Sequence, residues 1–385
     1  MSHLTSVSLA KERALEFGSS RDHFLSPEWY QRDLEPVFRP RWQFVGHKDE
    51  LPNPGSYITF RLGDDEVLVC RASDNHFRAY YNFCRHRGHR LGTQDHGEFL
   101  RNIKCQYHGW AYSKDDGSCL SATRMHPEFD KSNWGLRQAW VEEFHGLIFV
   151  SFVEEEPTSV ADLTTRIIAD DAGIHGYDLD RMKFAASSQF EVDANWKVVK
   201  ENDDECYHCA LNHPELIVGY NPWHGPTVVE DLDAPQHMWT SDEWALLEIG
   251  FQQSASQVCA IPSPRVNSGG DFEAQDVQLF WQPSGHLILQ SDHAWIWSIT
   301  PLGPERTLVR QWWLVADDAQ EGKDYEVGPL TELFDITMRQ DKELCEQVQR
   351  GIRMRFYTPG PLNPRYQSPA AAFYRWYERC LRSSA

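Results

Sequence analysis

Cysteine and histidine recur at two short, matched spacings in the stretch from Cys84 to Trp110, CRHRGHRLGTQDHGEFLRNIKCQYHGW. Cys84 and His86 form a Cys-x-His pair, Cys105 and His108 form a Cys-x-x-His pair, and 18 residues separate the two. Thiolates and imidazoles are the ligands of zinc and of iron-sulfur clusters. The halves lie too far apart for one helix face or one turn, so a bound centre must hold them together. By ligand count zinc fits. A [2Fe-2S] centre with two Cys on one iron and two His on the other fits the arrangement better, because each half then supplies one ligand to each iron. Gly88 and Gly109 stand just behind the ligands, where the backbone must turn tightly. His89 and His96 fall outside the pattern and read as ordinary loop histidines.

A second set lies downstream. His208 and His213 occur in NWKVVKENDDECYHCALNHPEL. On a continuous helix that spacing puts side chains about 140° apart. Both reach one metal only if the helix ends between them, and Pro214 disfavours helical geometry at His213. Two imidazoles and a carboxylate form the facial triad of non-haem iron(II), which leaves positions open for dioxygen and substrate. For the carboxylate, Asp341 falls within the apolar stripe Phe334, Thr337, Met338, Leu344, Cys345, Val348 and Ile352 of a helix expected over about 330–352. A buried carboxylate is costly without a partner, and a metal supplies one; a structural salt bridge is the alternative. Asp335 shares the polar face of that helix with Arg339, Lys342 and Glu346.

CRHRG and CQYHGWAY resemble the paired signature of Rieske proteins, specifically of the terminal oxygenase (alpha) subunit of Rieske non-haem iron oxygenases. NWK followed by an acidic residue, Tyr-His and a second His resembles the catalytic domain of that family, and DKELCEQVQRG its Asp-containing helix, so the resemblance covers essentially the whole chain. It implies a Rieske [2Fe-2S] cluster on Cys84, His86, Cys105 and His108, and a mononuclear Fe(II) on His208, His213 and Asp341. The interval between the cluster motifs is slightly longer than is usual in the family, which implies a loop extension. In the family an acidic residue three positions before the first His links the cluster of one subunit to the iron of its neighbour. That position is Glu205 here, with Asp204 as the alternative. Most members carry Asp there, and Glu resembles the branch acting on carnitine, glycine betaine, stachydrine and choline.

The resemblance further implies a separate reductase of flavin or ferredoxin type. It delivers electrons from NAD(P)H, and they pass through His108 or His86 and Glu205 to the mononuclear site. No GxGxxG fingerprint for a nucleotide cofactor is present in this chain. The implied reaction is hydroxylation of a C-H bond next to a quaternary or tertiary amine, with C-N cleavage or N-demethylation following. Three readings compete: an aromatic-ring cis-dihydroxylating or O-demethylating oxygenase, a Rieske electron carrier that holds only the first centre, and a zinc-stabilised binding module.

The elements that must position these residues follow from length and texture. A chain of 385 residues is expected to form two domains. Residues 1–39 read as a helical arm packing on the catalytic domain, with Ser26-Pro27-Glu28 as a helix start. Residues 40–155, with the runs SYITFRL, EVLVCRA, HFRAYYN and HGLIFVSFV, read as a small antiparallel β domain holding the cluster. Residues 156–385 read as the catalytic domain, in which QLFWQP, HLILQSD, AWIWSIT and TLVRQWWLVAD form one antiparallel sheet among helices. The fold class is therefore α+β. Residues 219–276 read as long loops over the site. Trp281, Trp295 and Trp297 on the sheet are candidates to hold a trimethylammonium group by cation-π attraction.

Composition narrows the class. A net charge of −20 disfavours a nucleic-acid partner. There is no apolar run of about 18 residues for a membrane span, and the start of the chain has no secretory apolar region, so a cytoplasmic location is expected. Nine cysteines without a secretion signal argue against a disulfide framework. Arg85, Arg87, Arg90, Arg101 and Lys104 make the cluster segment locally basic, whereas Glu201, Asp203, Asp204 and Glu205 form an acidic run. Their complementarity predicts a head-to-tail cyclic homo-oligomer such as a homotrimer.

Overall fold

The computed structural model describes residues 17–169, 179–218, 244–249, 276–290 and 292–383. Alternating apolar residues build the first sheet from β1 (Gln43–His47), β2 (Ser56–Leu62), β3 (Asp65–Arg71), β4 (Phe77–Tyr81), β5 (His96–Glu98), β9 (Gln138–Phe144) and β10 (Leu147–Ser151). Their spatial order is β1-β10-β9-β4-β3-β2-β5. β2 and β3 close as a hairpin in which Leu62 faces Asp65 across Gly63, whose φ of +61° suits a tight turn. A small sheet of β6 (Ile103–Lys104), β7 (Ala111–Tyr112) and β8 (Cys119–Ser121) lies beside it. Cys84 and Cys105 are buried in the core that the two sheets share with Tyr57, Leu68, Tyr80 and Trp110.

The second sheet runs in the order β11-β16-β15-β14-β13-β12. Its strands are β11 (Met182–Val192), β12 (Trp244–Ile249), β13 (Asp276–Trp281), β14 (Gly285–Leu289), β15 (His293–Gly303) and β16 (Arg306–Ala316). Neighbours pair antiparallel throughout. The sequence reading misses β11, a strand of mostly half-buried small and polar residues at the sheet edge. It also assigns 219–276 wholly to loops, whereas Trp244–Ile249 pairs with β13; the rest of that segment, up to residue 275, lies outside the described residues.

Helices complete the frame: α1 (Arg21–Leu25), α2 (Pro27–Asp33), α3 (Val160–Ala169), α4 (Trp196–Asp203), α5 (Cys209–Asn212), α6 (Val327–Ile352) and α7 (Ser368–Ser383). Ser26 caps α2 through its side chain, with Pro27 in the first turn. On α6 the side chains of Phe334, Thr337, Asp341, Cys345, Gln349 and Ile352 are buried. Val348, which the stripe includes, is 49% exposed. Asn195 fixes α4 against α6: its Oδ1 accepts from Lys197 N at 3.0 Å, while its own N–H donates to Gln349 Oε1 at 3.0 Å. The two sheets meet through Phe44, Phe149, Trp281 and Trp312, with Phe44 and Trp312 in edge contact at 4.7 Å. Trp312 Nε1 also donates to Glu50 Oε2 at 3.1 Å. His96 is part of this junction and not a plain loop residue: it lies on β5 with Nε2 3.4 Å from Glu50 Oε1.

The N-terminal arm is anchored by one charge. Asp33 at the end of α2 is buried, and its carboxylate accepts from Lys197 Nζ at 2.5 Å, Trp196 Nε1 at 2.9 Å and Tyr377 Oη at 2.5 Å. One carboxylate thereby ties the arm to α4 and α7. Replacing Asp33 by Ala strands the Lys197 ammonium in a buried site, so the Asp33→Ala protein is expected to lose about 3 to 5 kcal/mol of stability. Urea denaturation followed by fluorescence measures this as a lowered midpoint, and an unchanged midpoint contradicts it.

Candidate active site

Two nearly identical loops carry the first ligand set. In one, Cys84 N donates to His89 O at 2.8 Å and Gly88 N to Cys84 O at 2.9 Å; in the other, Cys105 N donates to Trp110 O at 2.8 Å and Gly109 N to Cys105 O at 3.1 Å. Gly88 and Gly109 have φ of +74° and +75°, left-handed conformations that glycine adopts without steric cost. The loops bring the Cys84 and Cys105 thiols, 1% and 2% exposed, into mutual contact. They also set the His86 and His108 rings 4.6 Å apart. His86 stacks on Trp110 at 4.9 Å, and its buried Nδ1 has no hydrogen-bond partner. An orphaned ring nitrogen beside a second imidazole and two adjacent thiols is the donor set of a Rieske cluster, so these residues fit it.

The sequence reading does not single out Tyr112. Its hydroxyl lies 3.1 Å from Cys84 Sγ and accepts from Arg85 N at 3.1 Å, which leaves its proton free to donate to the sulfur. Hydrogen bonds to ligand sulfur tune such clusters. His108 is exposed, with Arg87, Lys104 and Tyr107 exposed around it.

The second set is built where α4 ends. His208 caps the short helix α5, and His213 follows it with φ −122° and ψ 70°, outside helical geometry as a residue before proline prefers. Asp341 arrives from α6. Its Oδ1 lies 3.1 Å from His208 Nε2 and 3.0 Å from His213 Nε2, and the buried His213 Nε2 makes no hydrogen bond of its own. Three donor atoms thus converge on one point, which fits the two-His, one-carboxylate site of non-haem iron. Cys209 Sγ also lies 3.9 Å from His208 Nε2, but its sulfur is bonded to Cys206, so Asp341 is the anionic donor. Cys206 and Cys209 form a local disulfide, which the sequence reading did not foresee: the turn around His208 brings the two Cα atoms to 4.9 Å.

The outer edges of the two imidazoles are held differently. His208 Nδ1 lies 3.1 Å from Glu205 Oε1, and Tyr207 N donates to Glu205 Oε2. His213 Nδ1 lies 2.8 Å from Gln340 Oε1. Asp204 is buried against Lys200, whereas Glu205 is the residue of the pair that lies against His208. The acidic run is otherwise no surface patch, contrary to expectation. Asp203 and Asp204 both pair with Lys200, and Asp203 also contacts His286 Nδ1 at 3.2 Å. Burial, reinforced by the Asp204 charge, pushes the Glu201 carboxyl up to about 8.

The tryptophans divide by sheet face. Trp295 and Trp297 point into the core that includes Phe334 of α6, and Trp295 stacks on Phe334 at 4.2 Å. Trp281 packs instead in the other core, against Phe44 and Phe149 of the first sheet. The three do not form one cage.

Comparison with known proteins shows the family. The ring hydroxylating alpha subunit (catalytic domain) family matches residues 179–383, and the Rieske [2Fe-2S] domain matches residues 41–144. The chain is 31% identical to the glycine betaine monooxygenase oxygenase subunit of Chromohalobacter salexigens, over 97% of this chain and 88% of that protein. It is 29% identical to the carnitine monooxygenase oxygenase subunit of Acinetobacter baumannii, over 87% of this chain and 85% of that one. The crystal structure of the quaternary ammonium Rieske monooxygenase CntA in complex with L-carnitine superposes with a TM-score of 0.74 at 24% identity, covering 95% of both chains.

Proton competition at the second site gives a pH prediction. Burial opposes charging of His208, yet its hydrogen bonds to Asp341 and Glu205 raise it to about 9. The metal-free imidazole is therefore protonated at neutral pH, and binding of iron must displace that proton. Fe(II) affinity of the mononuclear site is expected to rise about tenfold per pH unit between pH 6 and 8. Anaerobic titration of iron-depleted protein at several pH values measures the slope; a pH-independent affinity contradicts it.

Proposed function

Since the chain belongs to the family of ring-hydroxylating alpha subunits with a Rieske domain, we propose that it is the oxygenase component of a monooxygenase acting on a quaternary ammonium compound. It hydroxylates the C-H bond next to nitrogen, and the product collapses to a smaller amine and an aldehyde. The observation that carries this reading is the 31% identity to a glycine betaine monooxygenase oxygenase subunit over nearly the whole chain. Glu205, at the position where most of the wider family is expected to carry Asp, points to the same branch.

His208, His213 and Asp341 would hold the mononuclear iron, and Cys84, His86, Cys105 and His108 would hold the cluster. Iron at the first supplies dioxygen activation, and the cluster supplies electron storage. Glu205 takes the Nδ1 edge of His208, fixing that ring with Nε2 turned to the site, and gives the triad a polar link outward. No hydrogen bond, ion pair or ring contact joins the two ligand sets within the chain among the described residues. In line with the resemblance at Glu205, the link serves a neighbouring subunit, in a head-to-tail homotrimer that sets the exposed His108 of one copy against the Glu205 side of the next. Leu211 and Val218, exposed on the segment that bears His208 and His213, are apolar surface for that contact.

Electrons come from a separate reductase that draws on NAD(P)H, and the location that goes with this reading is the cytoplasm. No helix among the described residues is long and apolar enough to cross a membrane. Trp295, stacked on the helix that carries Asp341, is the aromatic candidate for contact with the substrate cation.

The test supplies the holoenzyme with an NADH-linked reductase and glycine betaine, carnitine or choline. An N-dealkylated amine with a stoichiometric aldehyde is expected from one of them. In the Glu205→Gln protein this turnover falls by about 10- to 100-fold or more, while the cluster is still reduced by the reductase. Turnover of naphthalene to a cis-diol, with the quaternary amines inert, contradicts the assignment.

A further inference from the structure

The two imidazoles of the triad are oriented by chemically different groups, and the partner of His213 has no place in the reading above. Gln340 Oε1 stands 2.8 Å from His213 Nδ1, and Gln340 Nε2 donates to Glu215 Oε2 at 2.9 Å. An amide oxygen only accepts, so His213 carries its proton on Nδ1 and keeps the Nε2 lone pair for the site. The opposite amide orientation turns Gln340 Oε1 toward the Glu215 carboxylate, acceptor against acceptor. Glu215 therefore sets which way Gln340 faces.

The placement follows from the helix. Gln340 and Asp341 are consecutive on α6, so their side chains diverge by about 100°. The gap between them accommodates the His213 ring: Asp341 Oδ1 lies 3.0 Å from Nε2 on one edge and Gln340 Oε1 2.8 Å from Nδ1 on the other. Glu215 lies two residues beyond His213, just after Pro214. The chain leaving the ligand thus returns to lock the amide that orients it.

We propose that Gln340, held by Glu215, is a positioning residue that fixes His213 as a neutral Nε2 donor to the mononuclear metal. This rests on the triad reading. His208 meets a carboxylate, which strengthens its donation and serves the bridge. His213 meets a neutral amide, which orients the ring without adding charge. The two histidines are therefore not equivalent ligands.

The experiment compares Gln340→Leu, Gln340→Glu combined with Glu215→Gln, Glu215→Leu and His213→Ala in the full-length protein with its cluster intact, the reduced Rieske EPR signal serving as the check on folding. Two readouts are taken anaerobically: Fe(II) affinity of the mononuclear site, and the EPR spectrum of that iron with nitric oxide as probe. Gln340→Leu is expected to weaken iron binding about 10- to 100-fold and to change the rhombicity of the nitric oxide signal. Gln340→Glu, made together with Glu215→Gln so that an acceptor still faces His213 Nδ1 and an amide donor still stands behind it, restores affinity to within a few-fold, and Glu215→Leu falls between. If His213→Ala loses the iron while Gln340→Leu matches the parent in affinity and spectrum, the inference on Gln340 is wrong and the triad stands. If His213→Ala itself keeps the iron, the triad reading fails and this inference with it.

Discussion

A buried carboxylate needs a partner, and the catalytic half of this protein is organised around satisfying one. Asp341 is 8% exposed on the inner face of α6, where an isolated anion is strongly disfavoured. Its partners come from a segment more than a hundred residues earlier, so α4 and α6 must be held in register. Asn195 does this at the start of α4 by capping the helix and bonding Gln349 of α6. Cys345 packs on Val198 one turn from Asp341. Asp33 pins the same helix from its other side. Each contact is structural, and together they decide whether three donor atoms meet.

Charge near the site is managed by pairing. Lys200 neutralises Asp203 and Asp204, and Lys197 answers Asp33. Glu205 alone of the acidic run reaches an iron ligand. This selectivity gives the outward link a single route. The cluster loops follow a different logic, since they need no helix packing: backbone hydrogen bonds onto each Cys carbonyl, with a left-handed glycine, shape both tips in the same way. His108 is exposed at the tip of its cluster loop, and Glu205 is half-buried against His208.

Much of the site was legible because its ligands are short motifs. Cys-x-His, Cys-x-x-His and His208 with His213-Pro214 announce themselves by residue type, and Asp341 by being polar in an apolar stripe. The antiparallel strands 276–316 were legible from their β-branched and aromatic runs parted by turn residues, and the long helix from its 3.6-residue period. What escaped depends on tertiary context. β11 alternates only in its second half, where Phe190 and Val192 face in and Gln189 and Glu191 face out, and its first half of small residues carries little strand signal. The internal neutralisation of the acidic run needs the fold to bring Lys200 and His286 alongside. Trp281 on β13 parts from Trp295 on β15 because the register through β14 sets them on opposite faces, which no single strand reveals. Gln340 is next to a ligand in sequence, yet only the position of His213 gives it meaning.

The central claim is that one chain builds two distinct iron sites. Iron and acid-labile sulfide analysis of anaerobically purified protein, with EPR before and after dithionite and a parallel His208→Ala sample, tests it most directly. The account predicts about three irons and two sulfides per chain with a Rieske-type reduced signal, and loss of one iron but no sulfide in the variant. Two irons that survive the substitution would leave only an electron carrier, and zinc in a colourless protein would contradict the account entirely.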